Sequence, residues 1–401
     1  MMSLRSSCEA LLHQNDRGRY TIPAAHLYPH QWAWDSAFAA IGWAHINPRR
    51  AWVELETLMQ GQWLDGRVPH IAFHTSSNDY FPTPRDWGTD GSSTITQPPI
   101  WATAARRVLE VTGDSGPLDG LIPRFEASHA FFHAQRDPMS LNAVAVVHPW
   151  ESGLDNCPAW DAPLSRVDAA AAPQFQRKDK NVVDASMRPS DAEYARYMAL
   201  VAAIAADDFG PGGFAVYDPF MTAVLARAED DLGWLAQQMG YASEARRRAQ
   251  TLREGLVNAL WSDALGRFIY LDAATRDVIE TDVIGAYLPL WCGLPESYAE
   301  RLQAGLRQRF WTAYPLPSTA PVARGFDPRR YWRGPTWVNV NWLLSESLGP
   351  EPMDAATALV AREGFREYYN PHTGAGLGAK AFTWSAALVL DWIARKQGPV
   401  A

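Results

Sequence analysis

Residues 33–63 read AWDSAFAAIGWAHI, NP, RRAWVELETLMQGQW, and this stretch decides the class of fold. Apolar residues recur in it at three- and four-residue steps, the spacing that gathers them on one side of an α-helix. Asn47-Pro48 interrupts the run with a capping residue followed by one suited to a first helical turn. Two helices, over 33–46 and 48–63, are therefore predicted with almost nothing between them. The same periodicity predicts helices over 98–112, 117–135, 190–206, 219–238, 241–260, 280–291, 295–309, 335–348, 351–364 and 382–396. Breaks of known mechanism separate several of these, at Gly113-Asp114-Ser115-Gly116, Asp218-Pro219 and Gly349-Pro350. β-formers cluster only over 142–148 and 267–271, too little for a sheet that organises a domain. The chain thus reads as all-α, with paired helices that suit a closed double ring. No repeat of fixed period is present, which disfavours a solenoid. Nothing resembles a linker, so one domain over 1–401 is expected.

The 401 residues carry a formal net charge of -8, with no basic stretch interleaved with aromatics, so no nucleic-acid partner is expected. The first twenty residues, MMSLRSSCEALLHQNDRGRY, contain no apolar core of signal-peptide length, and no later run approaches a membrane span. A cytoplasmic protein without membrane contact is expected; a homo-oligomer is left open. Cys8, Cys157 and Cys292 are odd in number and far apart, which argues for reduced thiols rather than disulfides or a structural zinc site. The 18 tryptophans are the anomaly. Flat indole faces stack on the C–H faces of sugars while the N–H bonds a hydroxyl, so the excess tilts the reading toward carbohydrate.

Longer non-helical stretches fall at 64–97, 136–189, 261–280 and 310–334. They are rich in Trp, Tyr, Pro, Gly and His, which is not the composition of disorder, and a binding site is expected there. Three clusters carry the chemistry. In Tyr28-Pro29-His30-Gln31-Trp32-Ala33-Trp34-Asp35, the carboxylate between indoles is suited to two sugar hydroxyls; the alternative is that Asp35 merely caps its helix. In the loop from His148 to Asp161, three carboxylates, Glu151, Asp155 and Asp161, fall within eleven residues. An apolar pocket would keep one protonated as a general acid, although loop acids are more often solvated. Glu367, after a helix and before Asn370-Pro371 and Gly374, suits a base that holds a water; otherwise it is a surface residue beside the unfavourable carbonyl end of a helix.

Other signals fail. The Gly-rich run from Gly374 to Lys380 lacks a phosphate-loop pattern, no Gly-x-Ser-x-Gly elbow occurs, and His70 and His74 lack the accompanying Glu of a helical metal site. The chemistry demands no metal and no cofactor.

Seven ordered motifs then carry a resemblance. They are Trp32-Ala33-Trp34-Asp35 with Phe38 and Gly42; Tyr80-Phe81-Pro82; Gln97-Pro98-Pro99; Glu151-Ser152-Gly153-Leu154-Asp155-Asn156; Arg188-Pro189-Ser190-Asp191; Tyr331-Trp332-Arg333-Gly334-Pro335-Thr336-Trp337; and Glu367-Tyr368-Tyr369-Asn370 with the Gly-rich turn before Trp384. Together they resemble the glycoside hydrolase family (GH63) of processing α-glucosidases and bacterial mannosylglycerate and glucosylglycerate hydrolases. The resemblance implies an (α/α)6 toroid with long active-site loops, and hydrolysis with inversion in which Asp155 is the general acid and Glu367 the general base. It implies a sugar pocket from Tyr28, Trp32, Trp34, Asp35, Gln97, Tyr331, Trp332, Gly334 and Trp337. It also implies an aglycone carboxylate held by Arg188 with Tyr80 and Tyr194, the bland alternative being that Arg188 pairs with Asp184 or Asp191. The substrate implied is a small anionic glycoside of glucose or mannose. A glucosidase or trehalase-like hydrolase of neutral oligosaccharides, and a non-catalytic sugar-binding toroid, are the rivals. Cys157 and Ala159 depart from the Ser and the larger basic residue expected, and Thr83-Pro84-Arg85-Asp86 replaces a Gly and an acid. These departures leave glycerate, glycolate, lactate and a neutral polyol open as aglycones.

Overall fold

Helices start where the sequence supplies a cap. Asn47 accepts the Arg50 N–H with Pro48 in the first turn, Asp218 accepts the Phe220 N–H ahead of Pro219, and Ser190 and Glu193 close a reciprocal capping box. The computed structural model describes residues 3–75, 80–208 and 210–397. Its helices are α1 (Leu4–Asn15), α2 (Ala33–Ala44), α3 (Pro48–Gln60), α4 (Trp101–Thr112), α5 (Leu118–Gln135), the short α6 (Asp161–Ser165), α7 (Asp191–Ala206), α8 (Pro219–Gln238), α9 (Ala245–Gly255), α10 (Glu296–Arg309), α11 (Val338–Leu348), α12 (Glu351–Glu363) and α13 (Thr383–Gln397).

Composition decides which helices lie inside. All twelve residues of α2 are buried, whereas α10 buries only Leu302 and Leu306 of its fourteen. A helix apolar around its whole circumference must be surrounded, and an amphipathic one needs cover on a single face. The packing follows. α2 lies on α4, α4 on α8, α8 on a 3-10 segment at Leu288–Cys292, that segment on α11, α11 on α13, and α13 returns to α2. Outside this closed succession, α3 packs on α2, α5 and α9 on α8, α10 on the 3-10 segment, α12 on α11 and α1 on α13.

Two helical expectations are corrected. The segment 280–291 forms two 3-10 turns, Ile284–Ala286 and Leu288–Cys292, because Pro289 has no N–H to donate and its ring excludes a regular α-turn. The expected helix over 241–260 is α9 followed by a π-turn at Leu256–Leu260. A helix that the periodicity does not predict is α1, which Ser3 caps by accepting the Ser6 N–H. Asn15 at its end donates to Thr383 Oγ1 and Ala381 O, tying α1 to the start of α13.

Strands are short. The region 142–148 supplies Ala145–Val146 to a four-stranded antiparallel sheet with Val216–Tyr217, Tyr270–Asp272 and Val278–Ile279, while Arg267–Phe268 pairs separately with Trp261–Ser262. A hairpin of Arg366–Tyr369 and Gly376–Lys380 was not anticipated, and it carries Glu367. Part of the tryptophan excess belongs to the core: Trp43, Trp52, Trp87, Trp101 and Trp160 are fully buried. The three cysteines are free and buried. No helix among the described residues is long and apolar enough to cross a membrane.

Candidate active site

The loop after the Ala145–Val146 strand separates its three carboxylates by partner. Glu151 is buried and takes the Arg136 guanidinium on both oxygens together with the N–H groups of Thr96 and Val147, so it holds the loop to the body of the protein. Asp161 pairs with Arg333. Asp155 alone turns into a cavity walled mainly by aromatic side chains. Its backbone is fixed on both sides, since Trp160 Nε1 donates to Leu154 O at 2.9 Å and the Tyr197 hydroxyl to Asp155 O at 3.0 Å.

Glu367 reaches the same cavity from the hairpin. It lies in a strand rather than at a helix end, so the unfavourable dipole considered from sequence does not act on it. The carboxylate is 1 % exposed, and three donors converge on it: the Tyr28 hydroxyl at 2.7 Å and Arg188 Nη1 at 3.3 Å on Oε1, and the Ala379 N–H at 2.8 Å on Oε2. The hairpin can present that N–H because Gly378 adopts φ +65°; a Cβ there would stand 2.5 Å from Glu367 Oε2. Gly378→Ala is therefore expected to destabilise the fold by about 1–3 kcal/mol, read by urea unfolding, and to displace the carboxylate.

Links of 3.1, 3.5 and 2.7 Å join Asp155 Oδ2, the Tyr331 hydroxyl, the Tyr28 hydroxyl and Glu367 Oε1 in that order. Laid end to end they bound the separation of the two carboxylate oxygens at about 9.3 Å. Burial pushes the Asp155 carboxyl up to about 7; the Tyr331 hydrogen bond and the Arg188 charge oppose the rise, and the nearby Glu367 adds to it. Asp35 is held well above the usual carboxylate range by burial, then by the charges of Glu367 and Asp155. Asp35 and Asp155 share one space, and each raises the cost of ionising the other, so their titrations are linked.

Asp35 does not cap α2. Trp32 occupies the cap position without a side-chain bond, the Trp34 N–H goes to Gln97 Oε1 at 3.1 Å, and Asp35 faces the cavity from the first turn. Tyr28, Trp32, Trp34, Tyr80, Gln97, Arg188, Tyr194, Tyr331 and Trp332 all line the same space, as expected. Two residues expected there do not. Trp337 stacks behind Trp332, with ring centroids 3.8 Å apart and planes 2° from parallel, so it supports the wall rather than forming it. Gly334 serves a close backbone approach, since a Cβ would meet Asp327 O at 2.4 Å. Tyr331 has φ 41°, a left-handed conformation that costs about 1–3 kcal/mol for a bulky residue. It is held because the Trp332 N–H donates to Asn156 Oδ1 and Arg333 is anchored on Asp161 and Glu193.

Sequence reasoning did not assign Pro23, His70, Trp150, Gly153, Pro189, Phe382 or Trp384 to the site, yet they line it. Most flank motifs already quoted, and Trp150, one residue before Glu151, was the accessible signal. His70 and His74 have separate partners, Ser93 Oγ and Gln31 Oε1. Arg188 takes neither partner proposed as its alternative: its Nε contacts Asp179 and its Nη1 Glu367, both at 3.3 Å, while Asp184 pairs with Arg329 and Asp191 with Arg177 and Lys180.

Residues 28–385 match the mannosylglycerate hydrolase MGH1-like glycoside hydrolase domain. The chain is 40 % identical to a mannosylglycerate hydrolase of Thermus thermophilus over 95 % of its own length and 98 % of that protein's. It is 34 % identical to the glucosylglycerate hydrolase of Mycolicibacterium hassiacum, with 96 % of each covered. The crystal structure of a GH63 mannosylglycerate hydrolase of Thermus thermophilus in complex with Tris and D-glycerate superposes with a TM-score of 0.93 at 40 % identity, covering 98 % of this chain and 100 % of that one.

Proposed function

The chain belongs to the mannosylglycerate hydrolase MGH1-like glycoside hydrolase family, and from that premise we propose that it releases one glucose or mannose from a glycerate glycoside, with inversion at the anomeric carbon. As a member it is a glycoside hydrolase. The succession of six inner and six outer elements supports reading the fold as an (α/α)6 toroid. The observation that carries the mechanism is that Asp155 and Glu367 face one cavity with two tyrosine hydroxyls between them, inside a limit of about 9.3 Å. Inverting pairs stand roughly 6.5–9.5 Å apart, leaving room for a water, and retaining pairs about 5–5.5 Å apart; the limit admits both, and the anomer first released decides between them.

In this reading Asp155 gives its proton to the oxygen that leaves with the aglycone, while Glu367 takes one from a water attacking the opposite face of the anomeric carbon. The donors from Tyr28, Arg188 and Ala379 fix the Glu367 lone pairs so that the water, not the carboxylate, is aimed at carbon. Trp32, Trp34 and Trp332 pack the sugar, and Asp35 with Gln97 reads its hydroxyls. Arg188 has five N–H donors, more than Asp179 and Glu367 engage, and it serves the aglycone carboxylate as well.

Two outcomes follow. Asp155 must be protonated to act, and its carboxyl titrates near 7, so kcat/KM is expected to hold below that pH and fall about tenfold per unit above it. Arg188→Lys is expected to cost roughly tenfold even on a neutral aryl glycoside, because Glu367 loses an aligned donor, and more on a glycerate glycoside. Initial rates on the two substrates check this. The function itself is tested by incubating the protein with glucosylglycerate, mannosylglycerate, glucosylglycolate, trehalose and kojibiose. Turnover confined to the anionic glycosides supports the proposal. Preference for trehalose or kojibiose would replace it with a neutral-oligosaccharide hydrolase, and sugar release from none of them with a binding toroid.

A further inference from the structure

A second, small cavity adjoins the one just described and shares Tyr28, Tyr80, Arg188 and Tyr194 with it. These four side chains form a common wall, so whatever Arg188 holds from the sugar side is next to this space. Lys178 lines the second cavity and is only partly exposed. Its ammonium has no ion-pair or hydrogen-bond partner among the described residues. The cations around it are engaged: Arg177 with Asp179 and Asp191, Lys180 with Asp191, and Arg188 with Asp179 and Glu367. The Tyr80 hydroxyl in the shared wall is likewise without a hydrogen-bond partner among the described residues. Asp179 also lines this cavity, but its carboxylate is taken by Arg177 and Arg188, so a cavity lined by both an unmatched cation and an unengaged hydroxyl offers donors to an anionic oxygen group.

Resting on the reading of the first cavity as a sugar site with an anionic aglycone at Arg188, we infer that the second cavity receives a further anionic group on that aglycone, a phosphate ester or a second carboxylate, with Lys178 as its counter-ion. The substrate class then extends from aglycones with one acidic group to aglycones with two. The carboxylate nearer the glycosidic bond remains on Arg188, and the more distant group passes Tyr80 to reach Lys178.

Free aglycone mimics test this as competitive inhibitors of glycerate-glycoside hydrolysis. The set is D-glycerate, D-glycerate phosphorylated on its primary hydroxyl, and malate; the last two distinguish phosphate from carboxylate. At least one of these two is expected to bind roughly tenfold more tightly than D-glycerate, the worth of one charge-assisted contact. That ratio should collapse in Lys178→Gln and return in Lys178→Arg. Equal inhibition by D-glycerate and the two diacidic compounds, or a ratio unchanged in Lys178→Gln, would overturn the second subsite while leaving the glycerate reading intact. Absence of any hydrolysis of the glycerate glycoside in the same assay would bring down both.

Discussion

Glu367→Gln is expected to lower kcat roughly 10³-fold on a glycerate glycoside, within the 10²–10⁴ that general acid–base catalysis supplies and equal to about 4 kcal/mol of barrier. The amide keeps the size of the carboxylate but cannot take a proton from water. It also disturbs the donors around it. A carboxylate accepts from Tyr28, Arg188 and Ala379 at once, whereas an amide has one oxygen and must turn its NH₂ toward one of them. The Tyr28 hydroxyl can reverse its role, but Arg188 and the Ala379 N–H cannot, so a stability loss of about 1–3 kcal/mol accompanies the catalytic loss. Glu367→Ala separates the two effects. It leaves space in the wall, and added azide, which needs no base to attack carbon, should restore turnover as a glycosyl azide. Failure of rescue in a folded variant would argue that Glu367 positions the sugar and does not activate water.

Asp155→Asn is expected to divide substrates by leaving group. The glycerate oxygen departs as a poor alkoxide unless protonated, so its glycoside should lose roughly 10³-fold. A glycosyl fluoride needs far less acid help, and its hydrolysis should fall less than about tenfold for the same variant. The Tyr331 hydroxyl can still donate to the amide oxygen, so the loop and the strained Tyr331 backbone keep their arrangement. The fall in kcat/KM above pH 7 should vanish with the carboxyl that causes it. Equal losses on both substrates would place Asp155 among the binding residues.

Helix starts are legible in the amino-acid sequence, and the features of fold and site that are not legible there share a cause. Caps such as Asn47 and Asp218 announce helix starts because their effect is local. The short hairpin bearing Glu367 has no such signal: Gly376-Leu377-Gly378-Ala379-Lys380 is poor in β-formers, and it pairs with Arg366–Tyr369 for what Ala379 and Gly378 do for the carboxylate. The roles of Glu151, Asp155 and Asp161 cannot be separated by spacing, because Arg136 and Arg333, which claim the first and third, are brought in by the fold. Trp332 and Trp337 sit in one motif, and only the folded chain shows that Trp332 faces the cavity with Trp337 stacked behind it. Asp35 could cap or bind from the same sequence position; Gln97, sixty-three residues beyond Trp34, takes that residue's N–H and leaves Asp35 to the cavity. The four residues common to two cavities are likewise a product of chain crossing, scattered from Tyr28 to Tyr194.

A single NMR time course bears most directly on the pairing of Asp155 with Glu367. With glucosylglycerate or mannosylglycerate as substrate, proton spectra recorded before mutarotation report which anomer of the free sugar forms first. A water aimed by Glu367 at the face opposite the departing oxygen yields the anomer of configuration opposite to the substrate, and that is the expected result. First accumulation of the same anomer as the substrate would mean a covalent or same-face route, and the assignment of these two carboxyls as acid and base across one cavity would be wrong.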